Sequence, residues 1–153
     1  MCRLFVCLLI LGCLCGCDND PTSVVSQNDT YHYFIEDLGV ELVFDFDSSV
    51  GKSVSVINSN DHIIGVKIED YHHEEVVIFE DYWIRPGDSS FSGAPYLDHN
   101  EQMWVIIMVY KSEFASYIYR AIELFGDSFV EQLEEWFGQE WLHSIYYRSV
   151  ILE

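Results

Sequence analysis

The run "DYHHEE" at residues 70–75 gathers side chains that can bind a metal ion. Imidazole nitrogen and carboxylate oxygen are both common zinc ligands. On a strand, His72 and Glu74 would share one face, and His73 and Glu75 would share the other. Neither pair completes a site without a further ligand from elsewhere in the chain, and polar residues of this kind are also usual in surface turns. We therefore predict a solvated turn and no cofactor, with these four residues as the metal candidates.

A second group of acids occupies alternate positions of "GVELVFDFD", residues 39–47. Glu41, Asp45 and Asp47 would project from one face of a half-buried strand, opposite an apolar face. Paired carboxylates can hydrolyse glycosides, but that reaction needs a cleft, and no loop has the spacing of an EF-hand calcium site. We expect this face either to bind a cationic partner or to be simply solvated.

Two other kinds of site are disfavoured by spacing. "VGKS" at 50–53 matches the end of a phosphate-binding loop, but Phe46 stands where that motif requires its first glycine. No serine lies in a nucleophile elbow, and all five cysteines fall within the first 17 residues. The sequence therefore favours a protein that is not an enzyme, with a hydrolase as the enzymatic alternative.

The N-terminus contains an apolar run, residues 4–15, directly after Arg3. The run suits a signal peptide and is shorter than the roughly 20 residues that span a bilayer as a helix. Leu14-Cys15-Gly16-Cys17 resembles the lipobox of bacterial lipoprotein signal peptides, and Ile10-Leu11-Gly12-Cys13 is a second match that would give a very short leader. The resemblance implies cleavage before Cys17, a diacylglycerol on its thiol and an acylated amino group.

A lipid on Cys17 would anchor the protein to the bacterial cell envelope, because each buried CH₂ contributes about 0.8 kcal/mol. Asp18 resembles the inner-membrane retention signal of enterobacterial lipoproteins, which favours the periplasmic face of the inner membrane. An ordinary secretory signal is the alternative. We divide the chain into a signal peptide (1–16), a lipidated N-terminus with a flexible tether (17–30) and one domain (31–153).

The chain is strongly acidic, with 7 Lys and Arg against 26 Asp and Glu and a net charge of −19. Such a surface repels nucleic acid and anionic lipid headgroups, so we expect no nucleic-acid partner. It attracts a basic protein, although solubility alone is an alternative reason for the charge.

The first two thirds of the domain predict strands. Period-two alternation recurs in 40–47, 53–58, 64–69 and 76–84, separated by turn-forming residues. The nearly continuous apolar run 102–110 predicts a central strand buried on both faces. These segments predict about five to six antiparallel strands connected as a meander.

The segment 85–101 has no periodicity and is rich in Pro, Gly and Ser. Long loops without secondary structure are uncommon in compact domains and are often functional. Phe91 and Tyr96 within it are therefore candidate binding residues, unless they pack back on the domain.

The C-terminal third predicts two helices, each with one apolar stripe. The stripe residues are Phe114, Ile118, Ala121, Ile122 and Phe125 in the first helix, and Phe129, Leu133, Trp136 and Phe137 in the second. Gly126 suits the end of the first helix, and Ser128 with Glu131 matches a capping box. Residues 139–153 fit either a helix or a last strand. The fold class is therefore α+β: an antiparallel sheet with C-terminal helices packed on one face.

These features together predict a non-enzymatic, lipid-anchored envelope protein that binds a basic protein partner through its acidic strand face and the 85–101 loop. An immunity or inhibitor protein acting on a cationic toxin or a wall hydrolase is one concrete form. A structural or assembly subunit of an envelope complex is the alternative, and it would present an exposed apolar patch more than a charged face.

Overall fold

The computed structural model describes residues 22–27, 29–47, 51–73 and 76–152. These residues form nine β-strands and two α-helices. The strands are β1 (Thr22–Gln27), β2 (Thr30–Ile35), β3 (Val40–Asp45), β4 (Ser53–Asn58), β5 (Ile64–Asp70), β6 (Val77–Ile84), β7 (Ser89–Gly93), β8 (Gln102–Tyr110) and β9 (Leu142–Ile151). The helices are α1 (Ala115–Phe125) and α2 (Phe129–Phe137), which follow β8 and precede β9.

The strands divide into two antiparallel sheets. Sheet 1 has the order β1-β2-β3-β4-β7, and sheet 2 has the order β6-β5-β8-β9. The two sheets pack face to face, because alternate side chains from each contribute to one buried cluster. In β3, for example, Leu42 and Phe44 are fully buried, whereas Glu41 and Val43 are only half-buried on the opposite face.

The helices cover one end of the outer face of sheet 2. Ile118 and Ala121 of α1 and Phe129 and Leu133 of α2 are fully buried and pack with Tyr110 in a second cluster. Each helix is amphipathic, so its apolar stripe is removed from water only by this contact. The protein therefore has three layers: sheet 1, sheet 2 and the helical hairpin.

The predicted α+β class, with antiparallel pairing and helices packed on one face, is confirmed. The strands are more numerous than the five to six expected, and they form two sheets because β5 pairs with β6 and β8 rather than with β4. Residues 139–153, left open between helix and strand, contain β9. In β8, only the stretch 107–110 is buried at every position, at the end that the helices cover.

Three finer expectations need correction. The tether assigned to 17–30 contains β1, which pairs with β2 along its whole length. The segment 85–101 is not a structureless loop, because β7 lies within it and pairs with β4. The capping box at Ser128 does not form a side-chain hydrogen bond, because the short 3₁₀ turn Gly126–Ser128 runs directly into α2.

Candidate functional site

The strand register brings together three of the residues that the sequence singled out. Val43 of β3 lies opposite Ser55 of β4, and Ser55 lies opposite Phe91 of β7. Directly opposed residues of antiparallel strands point to the same side. Glu41 and Asp45 share the side of Val43, so these two acids and Phe91 all lie on the outer face of sheet 1.

The two acids on that face are engaged in local contacts. Nδ1 of His32 lies 2.7 Å from Oε1 of Glu41 across β2 and β3, and the His32 ring stacks on Phe34. The backbone N–H of Asp47 donates to Oδ1 of Asp45 at 3.0 Å, in a turn at the end of β3. Each of these two carboxylates therefore has a partner within the local strand or turn structure. The two do not converge on a common point, as a catalytic pair would. A groove of about 230 Å³ lies beside Glu41, lined also by Phe34 and Gly39.

Tyr96 lies at the same end of sheet 1 as Asp47, beyond β7. The loop that carries it is fixed by buried Ala94 and Leu97 on either side. Tyr96 itself is 66% exposed. Asp98 of this loop forms an ion pair with Lys52, with 2.5 Å between Oδ1 and Nζ. This end of sheet 1 therefore carries charge of both signs rather than a concentrated acidic field.

The histidine-rich segment forms the turn between β5 and β6. The backbone N–H groups of His72 and His73 both donate to Oδ1 of Asp70, at 2.6 and 2.7 Å. Burial raises the pKa of the Asp70 carboxyl, but these two donors hold it below its ordinary value. Glu74 and Glu75 lie outside the described residues. Within the described ranges, no cluster of three or more His, Cys, Asp or Glu residues could hold a metal ion.

The helical hairpin, formed by α1 and α2, carries several exposed apolar side chains. We define the helical aromatic patch as Tyr117, Leu124, Phe125, Trp136 and Phe137. Two ring contacts join the helices: Tyr117 with Phe137 at 5.2 Å between centroids and Phe125 with Trp136 at 5.8 Å. Within α2, the rings of Trp136 and Phe137 are 6.1 Å apart. Leu124 shares a helix face with Tyr117, seven residues earlier. Leu124 and Trp136 are 56% and 45% exposed, whereas Phe137 is half-buried against the second cluster.

The segment that carries this patch is rich in carboxylates. Residues 112–140 carry seven acids and a single base, Arg120. Arg120 lies 3.6 Å from Glu123 in an exposed ion pair one helical turn apart. The acids are all exposed and are Glu113, Glu123, Asp127, Glu131, Glu134, Glu135 and Glu140. Aromatic faces and carboxylates are the groups that attract Lys and Arg side chains, so this surface is complementary to a cationic guest.

A cluster of charged side chains lies between sheet 2 and the turn that joins the two helices. Lys67 of β5 lies 2.5 Å from Glu69, and Glu80 of the neighbouring strand interacts with Asp127 and Tyr82. Burial and then the Asp127 carboxylate raise the pKa of Glu80 above its ordinary value. Burial lowers the pKa of Lys67, but the neighbouring Glu69 carboxylate acts in the opposite direction. The pKa of Lys67 therefore lies above its ordinary value. Lys67 attracts Asp127 and Glu80 repels it, so the turn between the helices is held over the sheet mainly by apolar packing.

Comparison with protein-family models, with curated proteins and with solved structures found no match. Among the residues that the structure describes, no helix is both long and apolar enough to cross a membrane. The function must therefore be argued from the surfaces of the chain itself.

Sequence reasoning missed the helical aromatic patch. Phe125, Trp136 and Phe137 were assigned to the buried stripes, and Tyr117 and Leu124 were not considered. A detectable pattern existed, because Tyr117 and Leu124 form a second apolar row on α1, beside the row of Ile118 and Ala121. A surface helix with two apolar rows can bury only one of them against its own sheet.

Proposed function

We propose that this chain is a non-enzymatic, lipid-anchored protein of the bacterial cell envelope that binds a basic protein partner through the helical aromatic patch. The observation that carries the proposal is the exposed group of aromatic side chains on the hairpin, in a segment of the chain that contains seven acids and one base. Exposed apolar patches with a polar rim are typical of protein interaction sites.

The two parts of this surface would act differently on binding. The aromatic side chains supply apolar area that a partner removes from water, which provides most of the affinity of such interfaces. The carboxylates attract a basic partner at long range and accelerate the encounter. With only Arg120 among them, they also disfavour acidic partners.

The membrane anchor in this proposal rests on the lipobox resemblance. Cys17, the lipidation candidate, lies outside the described residues. The domain itself is acidic and would be repelled by anionic headgroups. A lipid on Cys17 would hold it at the membrane in spite of that charge, since two or three acyl chains on one residue form a stable anchor.

An immunity or inhibitor protein is the concrete form that we favour, because a cationic toxin or a wall hydrolase is a basic partner. The aromatic patch also supports the assembly alternative, in which the chain is an accessory subunit of an envelope complex. Salt separates the two forms. Charge-steered capture of a basic partner weakens as salt rises, whereas an apolar assembly contact does not.

The experiment is affinity capture from envelope extracts with the wild type, Trp136→Ala and Tyr96→Ala. Both variants remove one exposed aromatic ring, from the patch and from the end of sheet 1 respectively. We expect Trp136→Ala to lose the basic protein that the wild type and Tyr96→Ala retain. Loss with Tyr96→Ala alone would move the contact to sheet 1 and overturn the assignment to the hairpin.

A further inference from the structure

A groove opens on the outer face of sheet 1, at the end where the chain turns from β2 into β3. It has a volume of about 230 Å³, and Phe34, Glu36, Gly39, Glu41 and Ser59 are among the residues that line it. Pockets for drug-sized ligands have volumes of about 300 Å³ and more, so this one, which we call the Glu41 groove, suits a group as large as one side chain. Among the described residues that line it, two are acids and none is Lys, Arg or His.

The walls of the Glu41 groove are fixed by backbone hydrogen bonds. The N–H of Gly39 donates to the carbonyl of Glu36 at 3.1 Å, which closes the turn after β2. The N–H of Ser59 donates to the carbonyl of Gly39 at 2.8 Å and holds the start of the β4–β5 loop against this turn. Gly39 has a φ of 59°, which favours glycine, and a Cβ there would meet the backbone of Ser59 and Asn60 at 3.3 Å. The groove is therefore formed before any ligand binds.

A carboxylate and an aromatic ring stand side by side in this groove. Phe34 and Glu41 are directly opposed in the pairing of β2 with β3, and both point to the outer face. His32, two residues before Phe34, stacks on its ring at 6.0 Å between centroids and lies 2.7 Å from Oε1 of Glu41. These contacts hold the ring and the carboxylate in place. The groove lies on the other side of Phe34, toward Glu36, which adds the second acid.

This combination of groups matches a guanidinium ion. A guanidinium is planar, stacks on aromatic rings and donates two parallel N–H groups to a carboxylate, whereas an ammonium is a compact and strongly hydrated charge. An aliphatic chain attached to the guanidinium can lie along the apolar part of the groove. A ligand that carries a carboxylate of its own would be repelled by Glu36 and Glu41.

We propose that the Glu41 groove binds a small guanidinium compound with a short aliphatic chain and no acidic group. The plane of the guanidinium lies against Phe34 and donates to the carboxylate of Glu41, while Glu36 balances the charge from the opposite wall. The proposal is independent of the proposed function, because the groove is on the outer face of sheet 1 and the helical aromatic patch lies beyond the outer face of sheet 2.

The test is a nuclear magnetic resonance titration of the isotope-labelled full chain in non-ionic detergent. The probes are butylguanidine, butylurea, which keeps the shape without the charge, and butylamine, which keeps the charge without the plane. We expect butylguanidine to bind in the millimolar range, because so small a ligand removes little area from water, and to shift the amide signals of residues 34–41 and 59. Butylurea is expected to bind at least about fivefold more weakly, and butylamine at least about twofold more weakly.

Glu41→Gln tests the carboxylate, because glutamine keeps an oxygen for His32 but carries no charge. It is expected to weaken the binding of butylguanidine at least about fivefold. Asp45→Asn is the matched control, since it removes one charge from the same face of β3 outside the groove, and it should change the affinity by no more than about twofold. Phe34→Leu covers the case in which Glu41→Gln does not fold. It keeps an apolar side chain and should bind butylguanidine no better than butylamine.

Equal binding of butylguanidine and butylurea would overturn the proposal, as would an absence of shifts at the groove or an equal loss with Asp45→Asn and Glu41→Gln. Binding of an arginine tripeptide with blocked ends, when butylguanidine does not bind, would overturn the assignment to a free compound. Trp136→Ala should leave the shifts at the groove unchanged. Failure of this proposal is therefore distinguishable from failure of the proposed function, which affinity capture tests separately.

Discussion

Tyr110 of β8 lies across the backbone of Gly65 in β5, so closely that a methyl group at position 65 would collide with its phenolic oxygen. That hydroxyl donates to the carbonyl of Tyr82 in β6 at 3.1 Å. Tyr110 is buried, and burial raises its pKa far above the ordinary value. The ring thus links three strands of sheet 2 and lies beneath the helices. The absence of a side chain at Gly65 allows the helical layer to pack against the sheet.

The first prediction concerns this contact. Gly65→Ala should lower the free energy of unfolding by about 2 kcal/mol, since an added methyl group in a close-packed site forces its neighbours to move. Urea denaturation measures the change. Gly93→Ala, in β7, is the matched control, because a methyl group there meets open space. Combining Gly65→Ala with Tyr110→Phe should be less than additive, as the colliding hydroxyl is gone. Equal losses at Gly65 and Gly93 would contradict this interpretation.

The second prediction concerns the junction between the sheets at Asn58. Its side-chain amide is fully buried and donates to the carbonyls of His62 and Ile84, at 2.9 and 3.0 Å. It also accepts from the N–H of Asn60. Asn58→Ala should cost about 3 kcal/mol of unfolding free energy, because it leaves these buried groups without a partner.

A thermal or urea denaturation series tests this cost. Gln102→Ala is the control, since it removes an exposed amide that makes one side-chain bond, to Ser149. Its effect should stay below about 0.5 kcal/mol. If both substitutions had the same small effect, Asn58 would not join the two sheets as described.

The division into two sheets shows why sequence reasoning reached only part of the fold. The strands β3, β4 and β5 were predictable because apolar and polar residues alternate in them. β7 was not, because "SSFSG" contains one large apolar residue and has no alternation to detect. The pairing of β5 with β8 joins segments that are distant in the chain, and no local pattern specifies it.

The candidate site shows the same limit. Sequence spacing placed Glu41, Asp45 and Asp47 on one strand face. The register confirms this for Glu41 and Asp45, whereas Asp47 lies in the turn after β3. The same spacing could not show that His32 pairs with Glu41, since that depends on the neighbouring strand. Nor could it show which of the two apolar rows of α1 would be covered, so the exposure of Leu124 was missed.

The third prediction concerns pH. Because the pKa of Glu80 is raised in the folded chain, the folded state binds that proton more tightly than the unfolded state. The unfolding free energy therefore falls as pH rises through the raised pKa. Glu80→Gln removes the repulsion from Asp127 and should raise the melting temperature at neutral pH. This gain should shrink as pH falls towards the ordinary pKa of Glu.

Melting curves at several pH values check this result. Glu113→Gln, which removes one exposed acid outside the cluster, corrects for the change in net charge. A gain for Glu80→Gln that did not depend on pH would show that Glu80 titrates without influence from Asp127.

The fourth prediction concerns the anchor. If Cys17 is lipidated as we propose, Cys17→Ala should abolish lipidation and move the protein from the membrane fraction to the soluble fraction, because the thiol for the lipid is lost. Mass spectrometry of the N-terminal peptide and fractionation of the cells measure both effects. Cys13→Ala is the control, and it should remain lipidated because the preferred lipobox ends at Cys17. Loss of the lipid from Cys13→Ala instead would reassign the site to the second match.

The most direct test of the central claim, that the acidic helical hairpin binds a basic partner, is an affinity measurement at low and high salt. The partner recovered by affinity capture is titrated against the wild type, Glu134→Lys and Asp37→Lys, where Asp37 is an exposed acid next to sheet 1. We predict that Glu134→Lys weakens binding at least about tenfold at low salt and less at high salt, while Asp37→Lys changes it by no more than about twofold. Equal losses for the two variants, or binding indifferent to salt, would contradict the account.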